Sequence, residues 1–75
     1  MILTIHTDYI ALDALLKWAN VVVSGGEAKY IISQEMVRVN GVVVTQRKKK
    51  LMAGDRVSVE GLEETIELTQ ENPES

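Results

Sequence analysis

An Asn-Gly pair between two valine-rich runs constrains the fold of this chain more than any other feature. Val37-Arg38-Val39 precedes Asn40-Gly41, and Val42-Val43-Val44 follows it. Both turn residues tolerate the positive φ that a type I′ turn needs, and such a turn matches the twist of the flanking strands. The sequence therefore predicts a tight antiparallel hairpin in the middle of the chain.

A first helix is predicted before the hairpin by apolar residues at i, i+3, i+4 and i+7. These residues are Leu12, Leu15, Leu16 and Ala19. We expect Thr7 or Asp8 to cap this helix and the helix to end near Asn20. Asp13 lies four residues before Lys17, so the two are expected to form a solvent-side ion pair.

A second helix is predicted from Gly25 to about Glu35, with Ala28, Ile31 and Ile32 turned inward. Ser24 can accept a hydrogen bond from the backbone of the first turn while Glu27 reaches back to Ser24, which is a capping box. The stretch Ser24-Gly25-Gly26 leaves this helix start without bulky side chains. Free N–H groups and the helix dipole there favour an anion such as a phosphate, although the Glu27 carboxylate opposes it. The simpler interpretation is an ordinary capped helix.

Short strands are predicted at 2–6, 56–60 and 65–69, and the two terminal segments could pair with each other. Leu51 and Met52 are expected to return to the core after the polar connection 46–50. We expect one domain over residues 1–69 and a flexible acidic tail over 70–75.

The size and composition of the chain limit its function. A chain of 75 residues forms one domain that buries only about 60% of its unfolded surface, which leaves no room for a separate substrate domain. The absence of cysteine excludes disulfides and thiolate chemistry and suits a reducing cytosol. The N-terminus has neither a positively charged start nor a long apolar run, so a soluble, cytoplasmic protein is expected, with no membrane partner.

The charges are segregated along the chain although the net charge is −3. Residues 1–16 carry two aspartates, residues 17–56 carry eight basic and three acidic residues, and residues 57–75 carry six glutamates and no base. This distribution predicts one basic face for a polyanion and an acidic end away from it.

Few residues of this chain could support catalysis. His6 is the only histidine, and on a short terminal strand it is interpreted as structural. Glu63 and Glu64 are adjacent, so on a strand they would point to opposite faces and could not share a proton. The sequence shows no nucleophile, nucleotide-binding or metal-ligand motif. We therefore predict a protein that is not an enzyme and has no metal or cofactor.

A basic run, Arg47-Lys48-Lys49-Lys50, could bind phosphates through release of counterions. Arg38 lies on the preceding strand, and Lys17 and Lys29 would extend the patch if the helices lie side by side. Trp18 and Tyr30 stand next to these two lysines in the sequence and could stack on unpaired bases. The alternatives are a solvated loop and two partly buried core aromatics.

Four motifs, taken in order, resemble the RNA-binding domain named after the small-subunit ribosomal protein S-four. They are Leu12-Asp13-Ala14-Leu15-Leu16, Ser24-Gly25-Gly26-Glu27-Ala28-Lys29, Val37-Arg38-Val39-Asn40-Gly41 and Gly54-Asp55. The resemblance covers roughly residues 8 to 60 and keeps both order and spacing. The Ser-Gly-Gly-x-Ala-Lys form and the short N-terminal strand look most like the small stand-alone bacterial members of the YaaA and YbcJ type.

The resemblance implies an α+β fold with two helices packed on a small, mostly antiparallel sheet, the alpha-L RNA-binding motif. It also implies a monomer that binds structured RNA, ribosomal or transfer RNA, on a ribosomal subunit or assembly intermediate, and a role in assembly of the large subunit. The family's RNA contacts map onto Lys17, Ser24, Gly25, Gly26, Lys29, Arg38, Arg47, Lys48, Lys49 and Lys50. Two basic residues usual in the family are replaced by Ala11 and Gly25. A protein-interaction module, whose basic face docks on an acidic protein, is the alternative.

Overall fold

Two short helices lie on one face of a five-stranded sheet in the computed structural model, which describes residues 1–71. The elements in chain order are β1 Ile2–Ile5, β2 Ile10–Ala11, α1 Leu12–Trp18, α2 Gly25–Ser33, β3 Val37–Val39, β4 Val42–Val43, β5 Lys50–Leu51, β6 Arg56–Val59 and β7 Ile66–Gln70. The large sheet has the order β1-β7-β6-β3-β4, and β2 and β5 form a separate two-stranded ladder. Among the strand pairs of residues 1–71, only β1–β7 is parallel. The predicted α+β class with a mostly antiparallel sheet is confirmed.

The core lies between the helices and one face of the large sheet. On β3, Val37 and Val39 are buried while Arg38 is exposed, as the alternation of a strand requires. The buried apolar residues are Ile5, Leu12, Leu15, Leu16, Ala19, Val22, Ala28, Ile32, Val37, Val39, Leu51, Val57, Val59, Ile66 and Leu68. The opposite face of the sheet is therefore left to solvent.

The predicted hairpin is confirmed, and its turn has the expected geometry. Val39 pairs with Val42 across a two-residue loop, in which Asn40 has φ 52° and Gly41 has φ 85°. Pairing of the two terminal segments is also confirmed, because Leu3 lies beside Leu68 in the parallel β1–β7 ladder.

The start of α1 differs from the prediction. Neither Thr7 nor Asp8 caps the helix: Ala11 occupies the N-cap position without a side-chain bond, and Thr7 Oγ1 donates to the carbonyl of Tyr9 at 2.7 Å. The strand β2 precedes α1 directly and pairs with β5, so Ile10 lies beside Leu51. Because Ile10 and Ala11 pair with β5, the helix begins only at Leu12. This pairing takes the place of a side-chain cap from Thr7 or Asp8.

Two further expectations need correction. Leu51 is buried but Met52 is 59% exposed, because Met52 begins a turn in which its N–H donates to Asp55 Oδ2 at 2.9 Å. Gln70, predicted to open the tail, is the last residue of β7, and its Nε2 donates to the carbonyl of Thr7 at 3.2 Å. Glu71, the next residue of the predicted tail, contacts His6, and residues 72–75 lie outside the described part of the chain. Within residues 1–71, no helix has the length and apolar character needed to cross a membrane.

Candidate nucleic-acid interface

The basic run forms a turn that closes the N-terminus of α1. The N–H of Lys49 donates to the carbonyl of Gln46 at 3.2 Å. The carbonyls of Lys49 and Arg47 then accept the first helical N–H groups, from Leu12 at 2.9 Å and from Asp13 at 3.1 Å. These bonds satisfy donors that a helix start leaves unpaired. The start of α1 is consequently not open to an anion, and the loop is attached to a helix rather than free in solvent.

Asp13 lies beneath this loop and is 7% exposed. Its Oδ2 is 2.9 Å from Lys48 Nζ and 3.9 Å from Arg47 Nε. Its Oδ1 accepts from the N–H of Ala14 at 2.8 Å. The predicted pair with Lys17 is wrong, because Asp13 points toward the basic loop and not along the exposed side of α1.

These contacts shift the titration of the Asp13 carboxyl. Burial raises the pKa of Asp13, but the hydrogen bonds from Lys48 and Ala14, together with the charges of Lys48 and Arg47, lower it by more. The resulting pKa lies below the usual value, so the carboxylate is ionised at neutral pH. Asp13 therefore neutralises part of the positive charge of the basic run.

The cations of the basic run are not equivalent. Lys48 is paired with Asp13, and the Lys50 ammonium lies 4.7 Å from the centre of the Tyr9 ring, a cation–π distance. Arg47 stands at the edge of the Asp13 pair and is half exposed. Within residues 1–71, Lys49 is the member of the run without an ionic or aromatic partner.

The start of α2 is open in a way that the start of α1 is not. Ser24 Oγ accepts from the N–H of Glu27 at 3.2 Å, and the Ser24 carbonyl accepts from Ala28 at 3.1 Å. The N–H groups of Gly25 and Gly26 have no acceptor among residues 1–71. In the same part of the chain Glu27 makes no return bond to Ser24, so half of the predicted capping box forms.

Nothing in the fold requires glycine at these two positions. A Cβ added at Gly25 would meet no atom within 4 Å, and one at Gly26 would meet only Ser24 Oγ, at 3.9 Å. Neither residue has a positive φ. Two donors and a surface without side chains therefore face solvent here, at the N-terminal end of the helix dipole.

Lys17 and Lys29 lie on two helices that pack against each other. Both are exposed, and neither has an ionic partner within residues 1–71. Trp18 is 46% exposed and Tyr30 is 62% exposed, so part of each ring faces solvent and neither is a core aromatic. The two helices thus carry exposed lysines without an ionic partner in residues 1–71 and two partly exposed rings, and the Trp18 ring lines a shallow groove with residues 4–7 and Ile10.

Arg38 does not belong to this surface, and the prediction of one basic face that includes it is wrong. Its neighbours in the sheet are Ser58 and Val43, on the face that the helices do not cover. Arg56 lies on the same face and is 4.0 Å from Glu67. Strand alternation, which the hairpin itself imposes, sends Arg38 away from the helices.

The acidic residues after β6 lie at the other end of α1 from the basic loop. Glu63 and Glu64 line a shallow groove with Asn20 and Met1, next to the C-terminal end of α1. The basic turn contacts the N-terminal end of the same helix. Glu63 and Glu64 are therefore separated from the basic turn by the length of α1, but they lie at the same end of the helix as Lys17, which is in its last turn.

The Asn-Gly and Gly-Asp motifs bind each other. Asn40 Nδ2 donates to Asp55 Oδ1 at 3.0 Å, and the N–H of Arg56 donates to Asn40 Oδ1 at 2.9 Å. Asp55 Oδ2 also accepts from Met52, and Gly54 has φ 97°. These residues join the hairpin to the start of β6. The sequence pattern did not predict the Asn40–Asp55 contact, because the two residues are fifteen positions apart.

The structure assigns His6 a surface contact. Its Nδ1 lies 2.7 Å from Glu71 Oε2, and both side chains are mostly exposed. Among residues 1–71, no group of three or more histidine and acidic side chains is arranged to hold a metal ion.

Comparison with known proteins identifies the class of this domain. A family model described as the S4 domain matches residues 3–69, which is most of the chain and covers both helices and the described strands except Ile2 and Gln70. The chain belongs to the S4 domain family, and the resemblance carried by the four motifs is confirmed.

A named relative makes the comparison more specific. The probable ribosome maturation protein RlbA of Bacillus subtilis (strain 168) is 42% identical to this chain over 59 residues, which is 79% of this chain and 83% of that protein. The likeness therefore spans most of both proteins and is not confined to a shared motif.

Proposed function

We propose that this protein is a non-catalytic RNA-binding protein that assists ribosome maturation by binding ribosomal RNA through its helix side. The observations that support the proposal are exposed cations and open backbone donors in an S4 domain: Lys17, Lys29 and Lys49 have no ionic partner, and the N–H groups of Gly25 and Gly26 no acceptor, within residues 1–71. These donors suit phosphate oxygens, which fix the position of a protein on RNA without reading its sequence.

The chemistry of binding follows from these groups. Lysine ammonium groups release counterions when they neutralise phosphates, and the open start of α2 accepts a phosphate at short range because no Cβ intervenes. Trp18 and Tyr30 offer ring surface for an unstacked base. The protein would then recognise the shape of a folded RNA and single unpaired bases within it.

The relative supports the biological setting. The Bacillus subtilis protein is named a probable ribosome maturation protein, and we extend that role to this chain, with the large subunit as the assembling particle. Such a role places the protein in the cytoplasm, as a monomer that contacts an assembly intermediate. Transfer RNA is the alternative ligand with the same phosphate chemistry.

Binding to purified ribosomal RNA across a salt series tests the proposal. Three lysines on phosphates give a log–log salt slope on the order of −2 to −3. The double variant Lys29→Glu with Lys49→Glu should lose most of the affinity and flatten the slope. Arg38→Glu is the matched control, because it reverses a charge on the opposite sheet face and should change affinity little.

The results distinguish the proposal from docking on an acidic protein. Salt-independent binding of the wild type, or equal losses for Arg38→Glu and the double variant, would contradict the proposed surface. Association with ribosomal particles should also disappear after nuclease treatment. Association that survives nuclease would favour the protein-interaction alternative.

A further inference from the structure

We propose that Asp13 is the positioning residue of the RNA-binding surface: it holds Lys48 against α1 and so sets where Lys49 projects. This inference rests on the proposed function. It assigns Lys48 to holding the loop in place and Lys49 to contacting RNA. Lys48, at the centre of the run, would contribute to binding through Asp13 and not through a phosphate.

The geometry of the loop supports this division. Lys48 Nζ is 2.9 Å from Asp13 Oδ2, while the backbone of Lys49 is bonded on one side to Gln46 and on the other to Leu12. Asp13 holds the loop through both its side chain and its N–H, which donates to Arg47. The direction of the Lys49 side chain therefore depends on a turn that Asp13 holds at two points.

The carboxylate of Asp13 lies next to the surface proposed to bind phosphates, so its negative charge requires a physical explanation. Coulomb's law alone makes Asp13 unfavourable for RNA binding, since it repels the ligand and reduces the charge of the loop. Four consecutive cations also repel one another, and a buried counter-charge lets them share one compact turn. The two effects predict opposite results when the charge of Asp13 is removed.

The test is the RNA affinity of Asp13→Asn, which keeps an oxygen for the Ala14 N–H but removes the charge. Positioning predicts that affinity falls, by about tenfold if roughly 1.4 kcal/mol of preorganisation is lost. Simple electrostatics predicts that affinity rises. Glu67→Gln is the matched control, because it removes the same charge from the opposite sheet face and should leave affinity unchanged or slightly higher.

Neutralising Lys48 and Lys49 one at a time distinguishes the lysine that holds the loop from the lysine that contacts RNA. Lys49→Gln should reduce the magnitude of the log–log salt slope by about 0.7 to 0.9, the value for one lost phosphate contact. Lys48→Gln should weaken binding without that change of slope. The double variant Asp13→Asn with Lys48→Gln should bind no more weakly than either single variant, because both changes break one contact.

Amide hydrogen exchange gives a readout that needs no RNA. In Asp13→Asn, the amides of residues 12 and 13 should exchange faster than in the wild type, while amides in β6 stay protected. Unchanged exchange at both amides would overturn the inference whether or not RNA binds. Wild-type binding together with equal or tighter binding of folded Asp13→Asn would also overturn it and leave the proposed function intact. Absence of wild-type binding would instead remove the proposed function.

Discussion

The hairpin junction and the start of α2 both carry family motifs, but the protein uses them in opposite ways. At the junction, the side chains of Asn40 and Asp55 hydrogen-bond to each other and to nearby backbone N–H groups. At the start of α2, the N–H groups of Gly25 and Gly26 have no acceptor within residues 1–71. The first motif joins parts of the fold, and the second leaves two N–H groups without a partner in the described residues, which we propose contact RNA.

The role of each motif follows from the partners of its hydrogen bonds. The paired groups at the junction act in folding, whereas the N–H groups at the start of α2 are the donors that any helix start leaves to water or to a ligand. Substitutions at the two places should accordingly separate stability from RNA affinity.

Loss of Asp55 should give the largest change in stability. Asp55→Ala removes the acceptor for Asn40 Nδ2 and for the N–H of Met52, and it should lower the free energy of unfolding by about 2 kcal/mol. Urea unfolding measures this, with Asp8→Ala as a control aspartate that makes no hydrogen bond within residues 1–71. The salt slope of RNA binding should stay unchanged, and a changed slope would mean that the junction also contacts RNA.

The Asp13 contacts should give the next largest effect, and it should depend on pH. Asp13→Asn should destabilise the protein by about 1.5 kcal/mol at pH 7, since charge-assisted hydrogen bonds are lost. The pKa of Asp13 is lowered in the folded state, so its contribution is complete above the unfolded pKa of about 3.9 and disappears as the pH falls through the folded value. Unfolding measured over a series of pH values should show the two proteins differing at pH 7 and the difference becoming smaller as the pH falls below about 3.9. A constant difference would contradict the ion pair.

Removal of the α2 cap should give a smaller loss. Ser24→Ala deletes the acceptor for the N–H of Glu27 and should cost about 1 kcal/mol of stability. Ser24→Asp should restore the stability, because aspartate caps equally well. Although its stability is restored, Ser24→Asp should bind RNA less tightly than the wild type, because its carboxylate repels phosphate.

The smallest change in stability should come from the two glycines, and its sign should be opposite. Gly25→Ala or Gly26→Ala fills empty space and should stabilise the protein by about 0.5 kcal/mol, through reduced freedom of the unfolded chain. RNA affinity should nevertheless fall severalfold, because the added methyl group stands where a phosphate would approach. Thermal unfolding and RNA titration of the same variants decide this, and unaltered affinity would show that the open start is not used.

Much of the fold could be predicted because its signals are local. The turn at Asn40-Gly41 depends on two residues that accept positive φ, and the start of α2 depends on Ser24 next to the helix that it caps. The basic run was also recognisable as a candidate site from four adjacent residues. The different contacts of its four cations could not be predicted, because the partners of Lys48 and Lys50 lie more than thirty residues away in the sequence.

The hairpin, the second helix and the alternation of the strands were readable from the amino-acid order, since each depends on neighbours within a few residues. Three features required the folded chain: the contact of Asp13 with Lys48 instead of Lys17, the direction of Arg38 away from the helices, and the β2–β5 pairing before α1. These features could not be read from the order of residues because ion pairing and burial depend on distance in space. A nearby opposite charge in the sequence forms a weak surface pair, whereas a distant one brought against a buried carboxylate forms the stronger contact.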